Sequence, residues 1–100
     1  MKTTVEKRDG EIIAVLEGEL DTAAASEVEK ALQPLMESKG EKIIIECRDL
    51  EYVASSGLRI LLGILKSSMA NGGSVVLRNV NDDIKTVFRL TGFIDLFTFE

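Results

Sequence analysis

The chain has 100 residues, 45% hydrophobic, 29% charged and 5% aromatic, with 12 Lys and Arg against 17 Asp and Glu for a formal net charge of −5. That is the size and composition of one soluble domain, able to bury a modest core without disulfide or metal support. The acidic balance argues against direct nucleic-acid binding and against docking on anionic lipid, since both need clustered basic residues. A single cysteine, Cys47, excludes an internal disulfide, and the absence of histidine removes Ser-His and Cys-His nucleophiles and the common zinc sites.

The elements are read in chain order. Asp9-Gly10 is a two-residue hairpin signal, with φ > 0 expected at both positions, joining a strand over residues 2–8 to "EIIAVLEGEL" at 11–20. From Ala23 the period becomes helical, with Val28, Leu32, Leu35 and Met36 on one face and Gly40 as the stop. Asp21 or Thr22 can cap this helix, and Pro34 should kink or break it, because proline removes a backbone donor. "KIIIEC" at 42–47 reads as a strand buried on both faces. Residues 56–70 read as a second helix ended by "NGGS", and "SVVLRNV" as another buried strand.

"NDDIKTVFRL" reads as a third helix, capped by Asn81, with Asp82 and Asp83 at its positive end and Gly92 closing it. "FIDLFTFE" supplies a turn and a final strand. The order β-β-α-β-α-β-α-β calls for parallel pairing with right-handed crossovers, hence a single α/β domain over residues 1–100 with one mixed sheet. The longest apolar run, "ILLGIL" at 60–65, is far too short to span a bilayer, and the N-terminus lacks an apolar signal core. A cytoplasmic protein without membrane insertion is expected.

The stretch "YVASSGLRILLGIL" at 52–65 places two hydroxyls before a greasy helix. At 100° per residue, Leu58, Leu61, Leu62, Leu65 and Met69 form the core face. Ser56, Ile60, Gly63 and Ser67 fall roughly opposite, with Ile64 beside them. Either a neighbouring helix covers this second face or it docks another protein. On the docking reading, Ile60→Asp should spare the fold. Ser55 is suited to N-cap, which leaves Ser56 as the first helical residue, exposed and unneeded for capping. A phosphate on Ser56 would suit the positive helix end and would charge the edge of the apolar face.

Together with "GELDTAAA" at 18–25 and "FRLTGFIDLF" at 88–97, that stretch resembles a STAS domain, and more narrowly the bacterial anti-sigma factor antagonists. The resemblance covers essentially the whole chain. It implies a mixed four- to five-stranded sheet with helices packed on one side. It further implies that Ser56 is phosphorylated by an anti-sigma factor serine kinase, which the unphosphorylated form binds so that a sigma factor is released. A PP2C-type phosphatase would reset the switch.

Asp21 matches the aspartate of the family's G-x-L-D motif near the acceptor loop, a role compatible with capping. Partner contacts are expected from Asp21, Ser55, Gly57, Arg59, Ile60, Gly63 and Ile64, with the Glu51-Tyr52 loop flanking Ser56. Two positions depart from the family pattern: Ala54 stands where Asp often precedes the serine pair, and Glu46 replaces an acid one methylene shorter at the end of the third strand. The resemblance implies no cofactor, and a monomer or weak dimer.

Two other classes compete with this reading. "ASSGL" is not a G-x-S-x-G nucleophile elbow, and the glycines fit neither a P-loop nor a dinucleotide fingerprint, so an enzyme is not expected. Cys47 reads as an inert core thiol. The alternative within the family is a STAS scaffold that is not phosphorylated, or a subunit of a membrane transporter or stress-sensing complex, using the same helical face.

Overall fold

The computed structural model describes residues 1–100. Its elements are β1 (Lys2–Arg8), β2 (Glu11–Leu20), α1 (Thr22–Ala31), α2 (Gln33–Met36), β3 (Lys42–Val53), α3 (Ser55–Ala70), β4 (Ser74–Arg78), α4 (Asp82–Leu90) and β5 (Thr98–Phe99). The strands form one sheet in the order β1-β2-β3-β4-β5, antiparallel between β1 and β2 and parallel thereafter. The mixed sheet and the order of elements are those expected.

Alternation along the strands sorts the two faces of the sheet. Ile12, Ala14, Ile43, Ile45, Val75 and Leu77 share one apolar cluster with Val28, Leu32 and Leu35, with Leu58, Leu61 and Leu65, and with Ile84 and Phe88. Every helix therefore buries its apolar stripe on the same side. Ile44 and Val76 point to the opposite face and stand outside that cluster. At the far edge Phe88 meets Phe97 and Phe99 edge-on, with ring centroids 5.4 and 5.5 Å away, which fixes the short β5 against α4.

Three local expectations are corrected. In the hairpin, Gly10 has φ +71° but Asp9 does not enter the left-handed region, so the turn is not the mirror-image type. The third strand does not stop at Cys47. It runs on to Val53, because β3 takes up one extra residue between Glu46 and Asp49 and another between Leu50 and Tyr52, and so stays paired with β2 through Leu20 opposite Val53. Met69, placed on the core face by the helical wheel, is 66% exposed in the last turn of α3.

The break at Pro34 is present. α1 ends at Leu32, whose N–H reaches Val28 O, and α2 restarts with Pro34 in its first turn, where a missing donor costs nothing. The redirected chain lays α2 against α3. Ser67 Oγ donates to Met36 O at 2.6 Å, and Asn71 Nδ2 donates to Ser38 O at 2.9 Å. These bonds settle what covers the second face of α3. Ile60 is 8% exposed and Ile64 0%, both beneath neighbouring helices.

Candidate functional site at the start of helix α3

β2 and β3 end side by side, with Leu20 opposite Val53 and the Ala54 N–H donating to Leu20 O at 2.8 Å. Each strand turns directly into a helix, so the N-termini of α1 and α3 emerge together. Asp21 caps α1, its Oδ1 accepting from Ala24 N at 2.8 Å. Asn81 caps α4 in the same way through Ile84 N. α3 differs: its N-cap is Ala54, which has no side-chain acceptor. The first helical bond runs from Leu58 N to Ala54 O, so the amides of Ser55, Ser56 and Gly57 find no partner within the helix. An open, positive helix end thus stands beside the carboxylate of Asp21.

Neither serine takes the role expected of it. Ser55 is not the N-cap; it lies within the first turn with its side chain exposed. Ser56 is not the exposed hydroxyl. Its residue is half-buried, and its Oγ is buried without a hydrogen-bond partner. The cause is one step of helix phase. With Ala54 as cap, Ser56 moves to the second helical position and rotates toward α1.

Gly57 is buried at the closest approach of α3 to the strand ends, where an added Cβ would stand 2.6 Å from Leu20 Cγ and 3.0 Å from Val53 Cγ2. Its role is to let the helix start lie on those side chains, and it presents no surface to a partner.

Between α1–α2 and α3 runs a groove with two connected depressions. One, of about 290 Å³, is lined by Ala25, Ser26, Glu29, Ser56, Arg59 and Ile60. The other, of about 250 Å³, adds Leu32, Gln33, Met36 and Gly63. Of the expected contact residues, Arg59 is exposed and walls both depressions, opposite Glu29. Ile60 and Gly63 form part of the floor, and Ile64 lies wholly in the core below it. The expected apolar docking face made of Ile60 and Ile64 is therefore corrected: their side chains are spent on helix packing.

Sequence reasoning missed the opposite wall. Ala25, Glu29, Leu32 and Met36 recur at helical spacing, and that period was the available signal. Glu51 and Tyr52 are exposed at the end of β3, close in sequence to the serines. Cys47 is buried, and burial pushes its thiol up to about 12, in keeping with an inert core residue.

A comparison at the level of families matches residues 2–100 to the STAS domain. The chain belongs to the STAS family. Among curated relatives, this STAS domain is 31% identical over 97 residues to BtrV of Bordetella bronchiseptica, covering 97% of this chain and 84% of that one. It is 30% identical over 92 residues to the anti-sigma-B factor antagonist of Bacillus subtilis, covering 92% and 84%. These relatives place the STAS domain among the anti-sigma factor antagonists.

In fold it is similar to the Bacillus cell fate determinant SpoIIAA, solved in unphosphorylated and phosphorylated forms. The TM-scores are 0.72 and 0.74 at 22% and 21% identity; 89% and 99% of this chain and 83% and 91% of those chains are covered.

Proposed function

We propose that this STAS domain is a phosphorylation-controlled antagonist of an anti-sigma factor, and that the phosphoryl acceptor is Ser55 rather than Ser56. The observation that carries the proposal is the pairing of an exposed Ser55 hydroxyl with the uncapped N-terminus of α3. A kinase must bring the γ-phosphorus of ATP in line with the attacking oxygen, which a buried Oγ such as that of Ser56 does not permit. The Ser55 oxygen would bond to phosphorus, ADP would leave, and the hydroxyl proton would pass to a base on the kinase.

The product would be stabilised where it forms. Unpaired first-turn amides and the helix dipole favour a dianion. The same dianion would lie near the Asp21 carboxylate and at the mouth of the groove walled by Arg59 and Glu29, changing the charge that a partner meets. In this reading the unphosphorylated form binds the anti-sigma factor, itself the serine kinase, and a sigma factor is freed. The phosphorylated form releases it, and a PP2C-type phosphatase restores binding. The domain is a substrate with no catalysis of its own, acting in the cytoplasm. No helix is long and apolar enough to cross a membrane.

The names of the relatives support the partner, and the two forms of SpoIIAA support the chemistry for that protein. The test is a binding assay with Ser55→Ala and Ser55→Glu proteins against lysate from the native host. An ATP-binding anti-sigma factor held by the first and lost by the second supports the proposal. Equal retention of one partner by both would favour a scaffold.

A further inference from the structure

The two free edges of the sheet are unequal: β5 offers two residues, whereas β1 offers seven. The two-residue turn sets Arg8 opposite Glu11, so Arg8, Glu6, Thr4 and Lys2 occupy the hydrogen-bonded pairs with β2. The N–H and C=O groups of Thr3, Val5 and Lys7 consequently point away from the sheet, a ready template for another strand.

We propose that β1 is a self-association edge: two copies pair their first strands antiparallel about a two-fold axis at Thr4, extending the sheet to twice its width. A symmetric pair sets residues of like parity opposite one another, so that outward donors meet outward acceptors. Centring on Val5 would oppose Lys2 to Arg8, and centring on Glu6 would oppose that carboxylate to its own copy. Centring on Thr4 places Thr3 opposite Val5 of the second copy, exchanging backbone bonds. It also places Lys2 opposite Glu6 of the second copy, in the closer, non-bonded type of pair.

The helix-side face fits the same register. Thr3, Val5 and Lys7 pair with Leu16, Ala14 and Ile12 of β2, which are core residues, so all three lie on the helix side. Beside them is a depression of about 200 Å³ lined by Met1, Thr3, Ala24, Glu27, Val28 and Ala31. Val5 of the second copy would stand at its mouth across from Thr3. Lys7 of the second copy would stand across from Met1, on the side of the Glu27 carboxylate. Glu6 already holds Arg8 Nε at 3.1 Å within its own strand, an exposed pair whose rearrangement costs little. Opposite charges thus meet at Lys2–Glu6 and Lys7–Glu27, each twice. A single strand pair buries less than the roughly 1,200–2,000 Å² of a stable complex, so the association is weak and reversible.

Sedimentation velocity of the full chain, from about 20 μM to about 1 mM, tests this, because interfaces of this size associate in that range. Thr3→Pro removes an outward donor without touching the bonds to β2, and circular dichroism verifies the fold. Lys2→Glu sets two carboxylates opposite each other, and adding Glu6→Lys reverses both charges. The expected result is reversible dimerisation of the parent, weakened about tenfold or more by Thr3→Pro and by Lys2→Glu, and regained in the double reversal. A parent chain that stays monomeric throughout, or a dimer indifferent to Thr3→Pro, would overturn the proposal. So would failure of the double reversal to restore association.

Discussion

A Cβ added to Gly57 would lie 2.6 Å from Cγ and 2.9 Å from Cδ2 of Leu20, a side chain with no exposed surface. The start of α3 is held to the end of β2 at that contact. Gly57→Ala sets a helix-propensity gain of about 1 kcal/mol against an overpacking cost of about 1–3 kcal/mol. The clash is with the branch point of a buried leucine, which has nowhere to move, so the cost prevails. A lower urea midpoint at unchanged slope is expected. A midpoint equal to or above that of the parent would show that α3 can shift, and with it both serines.

Ser56→Ala should act in the other direction. Its Oγ is buried and unpartnered, so removing it relieves a desolvation penalty and favours the helix. A gain of up to about 1 kcal/mol is expected from thermal or urea unfolding. A loss larger than that would mean that the hydroxyl has a partner, such as a bound water.

Ile60 and Arg59 are adjacent in sequence and opposite in consequence. Ile60→Asp buries a charge between α3 and the α1–α2 pair and should cost several kcal/mol, about 3–5 by the usual penalty for an unpaired buried ion, so the domain unfolds or nearly so. Arg59→Ala removes an exposed side chain and should shift stability by less than about 0.5 kcal/mol. In the proposed mechanism it should nonetheless weaken partner binding, because Arg59 walls both depressions of the groove. Circular dichroism and a binding titration on the two proteins separate these effects. A well-folded Ile60→Asp protein would contradict the packing of α1 and α2 on α3.

Cys47 gives a pH signature. Burial raises its thiol from about 9.0 to about 12 in the folded state, so the unfolded chain loses this proton first. Its contribution to stability is complete below about pH 9 and declines as the pH rises toward 12, by about 1.4 kcal/mol per unit. Cys47→Ala should be less stable at neutral pH, through the cavity it leaves, yet show a shallower decline in alkali. Parallel slopes for the two proteins would contradict a buried thiol. Alkylation at pH 8 should also be slow while the domain is folded.

Much of the fold was legible because period and punctuation agreed. Pro34 marked the break between α1 and α2, Asn81 capped α4, and the apolar runs in β2 and β3 marked both as covered strands. What was hidden depends on side chains distant in sequence. That α2 covers Ile60 and Ile64 follows from the turn at Leu32 and from the bond between Ser67 and Met36, neither of which a helical wheel contains. The phase of α3 was hidden for a similar reason. Ser55 is a better intrinsic cap than Ala54, but Gly57 must face Leu20 and Val53, and that contact sets the rotation of the first turn. Packing outranked capping, so Ser55 is exposed in the first turn instead of capping it, and the Ser56 hydroxyl is covered instead of exposed.

The most direct test of the proposed switch is to map the phosphoserine. The parent, Ser55→Ala and Ser56→Ala proteins would be incubated with ATP and the anti-sigma factor kinase recovered from the host, then digested for mass spectrometry. The expected result is one phosphate on Ser55 in the parent, none in Ser55→Ala, and one retained in Ser56→Ala. Phosphate that persists in Ser55→Ala and vanishes in Ser56→Ala would contradict the assignment. It would mean that the first turn of α3 unwinds to present the buried hydroxyl.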